Sequence, residues 1–339
     1  MRQPGLKTIR VLVVDDSPLI RAWICDALAR QPGVTVVGTA ASGEEATART
    51  IELAPDVITM DLQMPRSDGF DGIASIMALR PTPILVLTAE SVEPNAFRAL
   101  SLGALDLLPK PATQEQRDFG ARLAERLRLL AGTPVIRHVR GKRDRNVAVA
   151  LQRQPVALVA IAASLGGPRA LGQLLKALPV PYPLPVVVVQ HMAEGFTAGL
   201  TRWLSHEGRR EVREAEDGEP LVAGTVLVAP AGKHLTVSRE AVHLDDGPPQ
   251  HGFRPSATPF FHSVAKSFGA RACGVVLTGM GDDGALGLKA LRDAGGSTIA
   301  QDEATCAVFG MPRAAIAAGA VEQVLPLDGI AAALAEVGG

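Results

Sequence analysis

The stretch IRVLVVDDSPLIR, residues 9–21, contains the signals that decide the fold of the N-terminal half. Residues 9–14 are mostly apolar and have the length of a buried strand. Two aspartates follow, and Ser17 then precedes Pro18, the usual order of a helix cap and a first helical residue. The stretch therefore predicts a strand, a short acidic turn and a helix over 18–30, which is the first unit of an α/β domain.

The same alternation of short apolar runs and helical patterns continues outward to about residue 130. Further strands are predicted over 34–39, 57–60, 84–88 and 104–108, and further helices over 43–53 and 114–130. Because short apolar strands alternate with helices, we expect a five-stranded parallel sheet with helices on both faces.

The second half repeats this pattern from about residue 155. Apolar strands are predicted over 156–161, 185–190, 274–278 and 297–301, and a helix over 168–178. Two shorter strands, 225–230 and 234–238, are candidates for an antiparallel pair. We therefore expect a second doubly wound α/β domain whose sheet is mostly parallel.

Length and charge suggest two domains joined by a basic linker. A chain of 339 residues is typical of about two domains, and we place them at 1–125 and 154–339 with a linker at 126–153. Residues 137–145 are rich in arginine and lysine. We interpret this basic stretch as a solvated linker, with a docking segment for an acidic partner as the alternative.

Composition excludes several classes of function. The formal net charge of -1 gives no general attraction to nucleic acid or anionic lipid. The three cysteines are odd in number and lack CxxC spacing, which favours a reducing compartment over a disulfide framework. The sequence starts without the apolar core of a signal peptide, and no apolar run reaches the ~18 residues of a membrane helix. We expect a cytoplasmic protein that binds no nucleic acid and does not insert into a membrane.

Acidic and basic side chains follow several predicted strands of the first domain. Asp15 and Asp16 follow the first strand and Asp61 follows the third. Thr88 ends the fourth strand and Lys110 follows the fifth. Since the carboxyl ends of parallel strands meet at one edge, the three carboxylates predict a site for Mg²⁺, which prefers oxygen ligands. With Lys110 beside it, such a site suits phosphoryl transfer to Asp61.

A purely structural interpretation also exists, with Asp15 and Asp16 as helix caps and Lys110 as a surface charge. Four strand ends that carry these residue types together favour the phosphoryl-transfer site. The motifs VLVVDDSPLIR, ITMDLQMPRSDGF, LVLTAES and GALDLLPKP, within residues 8–125, resemble the flavodoxin-like receiver domains of two-component response regulators. The resemblance implies that Asp61 is the phosphoacceptor, with Asp15 and Asp16 in the Mg²⁺ pocket, Thr88 as the switch hydroxyl and Lys110 as the phosphate-sensing lysine. It departs at Leu107, where receivers often carry an aromatic switch residue.

Three candidate catalytic residues follow strands of the second domain. Ser164 lies in a strand–turn–helix passage, His191 closes the strand 185–190, and Asp282 and Asp283 follow the strand 274–278. An imidazole accepts the proton of a weakly nucleophilic serine, and a carboxylate orients that imidazole. Small residues around the serine let the backbone approach a substrate, and N–H groups at the next helix start could hold an oxyanion.

Other interpretations of these residues stay open. Ser164 could be a turn or cap residue, His191 a buried structural histidine, and the aspartates helix caps. The sequence from Gly279 to Gly284 also matches the G-x-G-x-x-G pattern of nucleotide-binding loops, with Asp302 about twenty residues later. Two carboxylates inside that loop would repel a pyrophosphate, which disfavours the nucleotide site.

The motifs IAASLGGPRAL, VVVVQHM, GTVLVAPAGKHL, FRPSATPFFHSVA and VVLTGMGDDGALGL resemble the catalytic domain of chemotaxis protein-glutamate methylesterases, the CheB family. The resemblance covers about residues 154–337. It implies a triad of Ser164, His191 and Asp283, because the family pattern is GMGxDG. It also implies that Met280 lies near the oxyanion site. Leu165 stands where the family usually has threonine, and Arg254 is expected to line the cleft.

The resemblance implies an enzyme that hydrolyses glutamate γ-methyl esters, and possibly deamidates glutamines, on methyl-accepting chemoreceptors. A chemotaxis histidine kinase would be the phosphodonor that controls it, Mg²⁺ would bind only in the receiver, and the catalytic domain would need no cofactor. Two other classes remain. A DNA-binding regulator would need a helix-turn-helix or a basic output surface, and a receptor-binding adaptor would need no triad.

Overall fold

The computed structural model describes residues 8–64, 69–88, 96–111, 118–132 and 155–338. Contacts divide the chain into two compact units, Met1–Gly141 and Lys142–Gly339. The predicted linker begins within a helix that extends to Ala131, and most of it, including the basic stretch 137–145, lies outside the described residues. The predicted domain boundaries stay a prediction.

The first unit is a five-stranded parallel sheet with helices around it. Its elements are β1 (Ile9–Val14), α1 (Pro18–Ala29), β2 (Val34–Ala40), α2 (Gly43–Leu53), β3 (Val57–Asp61), α3 (Gly69–Leu79), β4 (Ile84–Thr88), α4 (Arg98–Ser101), β5 (Asp106–Pro109) and α5 (Phe119–Ala131). The strand order is β2-β1-β3-β4-β5, and every pairing is parallel. The predicted five-stranded parallel sheet is confirmed.

A local signal explains where α1 begins, but no local signal predicts α3. At the start of α1, Ser17 accepts a hydrogen bond from the Ile20 N–H, as a helix cap should. The sequence did not predict α3, whose two glycines lower its helix propensity. A Cβ added at Gly72 would lie 2.7 Å from the Cα of Gly43 in α2. Close packing between α2 and α3 therefore requires glycine at position 72. The same glycine lowers the helix propensity of this segment, which is why the sequence did not predict α3.

The second unit is built on a seven-stranded sheet. Its elements are β6 (Leu158–Ala163), α6 (Gly167–Ala177), β7 (Val186–Gln190), α7 (Thr197–Gly208), β8 (Val212–Glu214), β9 (Val226–Val228), β10 (His234–Val237), β11 (Val242–Asp245), α8 (Ala257–Phe268), β12 (Ala272–Val276), α9 (Ala285–Asp293), β13 (Ser297–Gln301), α10 (Met311–Ala317), β14 (Gln323–Leu325) and α11 (Leu327–Val337). The order is β14-β13-β12-β6-β7-β9-β8, and all pairings are parallel.

The prediction that strands 225–230 and 234–238 form an antiparallel pair is wrong. The strand β9 pairs in parallel with β7 and β8 in the large sheet, and β10 pairs antiparallel with β11 in a separate two-stranded sheet. All three residues of β9 are buried, which is typical of a parallel strand covered on both faces. Because β9 has only three residues, the sequence pattern did not indicate that it belongs to the parallel sheet.

The strand order reverses its direction at β6. The chain continues from β6 to β7 on one side, and β12 pairs with β6 on the other. In parallel sheets, ligands bind beyond the carboxyl ends of the strands at such a reversal of strand order. Residues that follow β6, β7 and β12 therefore share one site.

No helix among the described residues is long and apolar enough to cross a membrane.

Candidate functional site

Ser164 and His191 follow neighbouring strands at the same level of the sheet. Ala163 of β6 and Gln190 of β7 are register partners, so each candidate residue comes one position after a paired one. The His191 N–H donates to the Ala163 carbonyl at 3.0 Å. Both side chains are buried, although both residues are polar. The parallel sheet thus brings together residues that are 27 positions apart in the chain.

Asp283 joins this pair from the far side of β6. The Ser164 N–H donates to the Thr278 carbonyl at 3.0 Å, which ties the serine to the loop that follows β12. Farther along that loop, Asp283 Oδ2 lies 2.8 Å from His191 Nε2. Asp282 is instead exposed, and its Oδ1 lies 3.9 Å from Nδ1 of His251. The geometry therefore selects Asp283 of the two adjacent aspartates.

Asp283 is held by the start of helix α8. Its Oδ1 accepts from the hydroxyls of Ser256 and Thr258 at 2.7 Å each and from the Thr258 N–H at 3.0 Å. Its Oδ2 accepts from the Ala257 N–H at 2.7 Å. The carboxylate thus occupies a helix N-terminus, where unpaired N–H groups favour negative charge.

These donors keep Asp283 ionised. Burial alone would raise its pKa, but the hydrogen bond and charge of His191, together with the bonds from Thr258 and Ala257, lower the pKa far below its usual range. An ionised carboxylate accepts hydrogen bonds only, so His191 Nε2 must carry the proton that it shares with Asp283. The other ring nitrogen is then the one that can accept a proton.

His191 Nδ1 is the ring nitrogen without a hydrogen bond in the described part of the chain, so it can accept a proton. It is buried and has no hydrogen-bond partner among the described residues. The structure does not join it to the Ser164 hydroxyl by a hydrogen bond. Catalytic hydrogen bonds are often formed only when substrate binds, and a rotation of the short Ser164 side chain changes the position of its hydroxyl without moving the backbone.

The first unit contains the predicted acidic pocket. Asp15, Asp16 and Asp61 each offer a carboxylate oxygen, and these oxygens lie within 4.8 Å of one another. Lys110 Nζ lies 2.8 Å from Asp15 Oδ2 and 2.8 Å from Asp61 Oδ2. Thr88 ends β4, where its carbonyl accepts from the Lys110 N–H at 2.6 Å. The structure therefore brings all five predicted residues to one edge of the sheet.

The charged groups of this pocket shift one another's pKa values. Burial raises the pKa of Asp61 above its ordinary value, Lys110 opposes that rise, and the charge of Asp15 adds to it. Burial lowers the pKa of Lys110, but the carboxylates of Asp61 and Asp15 outweigh it and the net shift is upward. The ammonium therefore stays charged and compensates two carboxylates that would otherwise repel each other.

Comparison with known proteins now identifies the family. A model of CheB methylesterases matches residues 159–334, and a model of response regulator receiver domains matches residues 11–118. The chain belongs to the CheB methylesterase family.

Relatives match the CheB-family chain over nearly its whole length. It is 56% identical to protein-glutamate methylesterase/protein-glutamine glutaminase 2 of Anaeromyxobacter dehalogenans, over 98% of both chains. It is 42% identical to the protein-glutamate methylesterase/protein-glutamine glutaminase of Symbiobacterium thermophilum, over 97% of this chain and 96% of the relative. The crystal structure of the Thermotoga maritima CheB methylesterase catalytic domain is 38% identical, with a TM-score of 0.52, and covers 54% of this chain and 98% of that domain.

Two buried glutamines, which the sequence analysis did not single out, hold the loops of the CheB-family site. Gln190 Nε2 donates to the carbonyls of Ser164 and His191 at 2.8 and 2.9 Å. Gln301 Oε1 accepts from the Thr278 N–H at 2.8 Å, and its Nε2 donates to the Thr305 carbonyl at 2.8 Å. Each glutamine ends an apolar strand, and that is the signal that could have marked it.

The turn after Ser164 depends on glycine. Gly166 has φ of +76°, a left-handed conformation that favours glycine. A Cβ at Gly167 would lie 2.8 Å from the Cβ of Ala163 and would also collide with the Gln190 amide. The carbonyl of Leu165 accepts from the Thr278 hydroxyl at 2.9 Å. Side-chain volume is thus excluded from the turn that leads from Ser164 into α6.

The remaining predicted residues lie in loops around this centre. The Leu165 side chain is buried, and Met280 is half-buried in the loop that leads to Asp283. Arg254 donates through Nη1 to the carbonyls of Asp246 and Gly247 at 3.1 Å each. Its guanidinium therefore supports its own loop, and a contact of Leu165, Met280 or Arg254 with substrate stays a prediction.

The low pKa of Asp283 makes stability depend on pH. A carboxyl with a lower pKa in the folded chain stabilises it above its unfolded pKa, about 3.9, and this contribution is lost as the pH falls toward the folded value. We expect Asp283→Asn to lower the free energy of unfolding at pH 7 by about 1–3 kcal/mol, because buried donors lose a charged acceptor. The deficit relative to the wild type should shrink as the pH falls from about 5 to about 2.

Urea unfolding of the second unit, followed by Trp203 fluorescence in a Trp23→Phe background, measures this difference. Asp282→Asn is the matched control, because its side chain is 76% exposed one position away. The free energy of unfolding of Asp282→Asn should equal that of the wild type across the pH range. A deficit for Asp283→Asn that stays constant from pH 7 to pH 2 would show that Asp283 is not held ionised.

Proposed function

We propose that this CheB-family chain hydrolyses the γ-methyl esters of glutamates on the cytoplasmic helices of methyl-accepting chemoreceptors. The observation that carries the proposal is the 2.8 Å pairing of His191 with a buried, multiply bonded Asp283 beside Ser164 at the ends of adjacent strands. The names of the relatives support the same reaction. Such a substrate would require the protein to act in the cytoplasm.

In the first half of the proposed reaction, Ser164 attacks the ester carbonyl. His191 Nδ1 removes the hydroxyl proton as the oxygen–carbon bond forms, while the Nε2–H bond to Asp283 stabilises the imidazolium. Collapse of the tetrahedral intermediate breaks the bond to the methoxy oxygen, which takes the proton from His191 and leaves as methanol. The product is a γ-glutamyl ester on Ser164.

Water completes the cycle in the second half. His191 removes a proton from water as the water oxygen bonds to the acyl carbon. Collapse of this second tetrahedral intermediate breaks the bond to Ser164 Oγ, which takes the proton from His191, and the free glutamate side chain leaves. The oxyanion of each intermediate needs donors close to Ser164. We assign this role to the N–H groups of Leu165 and Gly166, with Met280 at the rim. A glutamine amide presents the same carbonyl with ammonia as the leaving group, so receptor glutamine deamidation is a second reaction of the same site.

The first unit would control this reaction through Asp61. The three carboxylates supply only oxygen donors within 4.8 Å, a set that fits Mg²⁺. When bound, Mg²⁺ would neutralise charge on a transferring phosphoryl group. Asp61 would attack the phosphorus of a phosphodonor, a chemotaxis histidine kinase, and Lys110 and Thr88 would then contact the phosphoryl oxygens. Leu107 leaves no aromatic switch at its position.

Methanol release from methylated receptor cytoplasmic fragments tests the proposed enzyme. The wild type should release methanol, and Ser164→Ala should lower kcat by at least about 10³-fold, because the nucleophile is lost. Ser205→Ala is a serine control. The Ser205 hydroxyl bonds the backbone of Val212 and no triad residue, so this variant should retain wild-type turnover.

Two outcomes would overturn the assignment. Turnover by Ser164→Ala near that of the wild type would exclude Ser164 as the nucleophile. Binding of receptor fragments without any methanol release, by a folded wild-type protein, would favour the adaptor function.

Phosphorylation by acetyl phosphate tests the receiver. In Mg²⁺ the wild type should become phosphorylated, as resolved on a phosphate-affinity gel, and its methanol release should rise. Asp61→Asn should lose both responses because the acceptor carboxylate is gone, and EDTA should abolish phosphorylation of the wild type. Asp71→Asn, an exposed change in the first turn of α3, should behave like the wild type. Equal phosphorylation of Asp61→Asn and wild type would contradict the assignment.

A further inference from the structure

Phe253 lies flat against the imidazole of His191. The ring centroids are 3.9 Å apart and the ring planes differ by 7°. Only 2% of the His191 side chain is exposed, so Phe253 provides much of the cover on one face of the imidazole. Phe253 is not a member of the proposed triad. It is the first residue of the motif FRPSATPFFHSVA, but the sequence assigned it no role.

A tight turn holds Phe253 in this position. The Gln250 N–H donates to the Phe253 carbonyl at 3.0 Å, and the Phe253 N–H donates to the Gln250 carbonyl at 2.9 Å. The two residues between them, His251 and Gly252, have φ of 53° and 82°. Positive φ at both central residues is typical of the type I′ turn that closes two-residue hairpins. The backbone of Phe253 is therefore fixed by paired hydrogen bonds.

The same segment also holds Asp283. Arg254 follows Phe253, and its carbonyl accepts from the Gly232 N–H at 3.1 Å, which anchors the segment to the loop before β10. Ser256 then donates to the Asp283 carboxylate. One short segment thus contacts the imidazole on its face and the carboxylate that binds its edge.

We propose that Phe253 is a positioning residue for His191, an inference that rests on the proposed function. One hydrogen bond at Nε2 fixes one point of the imidazole, and the ring can still tilt about that point. A flat aromatic ring against one face blocks the tilt and fixes the direction in which Nδ1 points. The same aromatic face stabilises the cation that His191 becomes during the reaction.

Substitutions that keep or remove the flat ring test this role. Phe253→Leu keeps an apolar side chain but lacks the ring, and should lower kcat for methanol release about tenfold with KM changed less than about twofold, because geometry is lost and substrate contacts are kept. Phe253→Tyr keeps the ring face and should stay within about twofold of the wild type in both constants. Phe253→Met serves as a second ring-free variant if the leucine variant does not fold.

Chemical modification gives a readout that does not depend on activity. Diethyl pyrocarbonate labels accessible, unprotonated imidazoles, and peptide mass spectrometry resolves each histidine. We expect His191 to be labelled several-fold faster in Phe253→Leu than in the wild type or Phe253→Tyr. His234 is the internal reference: it is buried, its ring nitrogens contact the Pro248 carbonyl and the Ser256 N–H, and its labelling should not change.

The outcomes separate this inference from the proposed function. A wild type that releases no methanol would overturn the esterase, while the labelling rates would still report whether Phe253 covers His191. Phe253→Leu with wild-type kcat and wild-type His191 labelling would overturn the positioning role. A rise in KM with kcat unchanged would also overturn it, because Phe253 would then be a substrate contact.

Discussion

The buried carboxylate of Asp283 is the charge around which the second unit is arranged. A carboxylate removed from water is costly unless its oxygens are hydrogen-bonded. Here three successive residues at the start of α8 and the imidazole of His191 supply the donors. The Thr258 hydroxyl also accepts from the Gly284 N–H at 2.8 Å, immediately before α9. Two helix starts therefore converge on one negative charge, and that charge fixes which nitrogen of His191 carries a proton.

The parallel sheets impose a second constraint, which both units share. Each places the residues that follow its strands along one edge, so groups distant in sequence meet without long loops. In the first unit this gathers three carboxylates around Lys110. In the second it gathers a serine, a histidine and an aspartate beside β6. The two sites differ in chemistry because the first places a lysine among three acids and the second places one imidazole beside one acid.

Much of this arrangement could be predicted because strands and their ends carry local signals. The apolar runs of β1, β4 and β13 were predicted with the bounds that the structure has. The convergence of Ser164, His191 and Asp283 followed from their positions after strands. The choice between Asp282 and Asp283 followed from the family pattern, and only three-dimensional contacts explain it physically.

Other features depend on tertiary contacts that no local pattern reveals. The helix α3 contains Gly72, which packs on α2, and the short strand β9 takes its partners from the large sheet. Gln190 and Phe253 act through neighbours that are close only in the folded chain. Their residue types alone are compatible with an ordinary strand end and an ordinary loop.

The position of the ring proton of His191 shows most directly whether Asp283 orients the imidazole. Long-range ¹H–¹⁵N spectra of histidine-labelled protein, assigned by comparison with His191→Gln, distinguish the two ring nitrogens at neutral pH. We expect a protonated Nε2 that is hydrogen-bonded to Asp283 and an unprotonated Nδ1 that is available to Ser164. A His191 with its proton on Nδ1 and none on Nε2 would contradict this expectation, because Asp283 could then neither orient the base nor stabilise its cation.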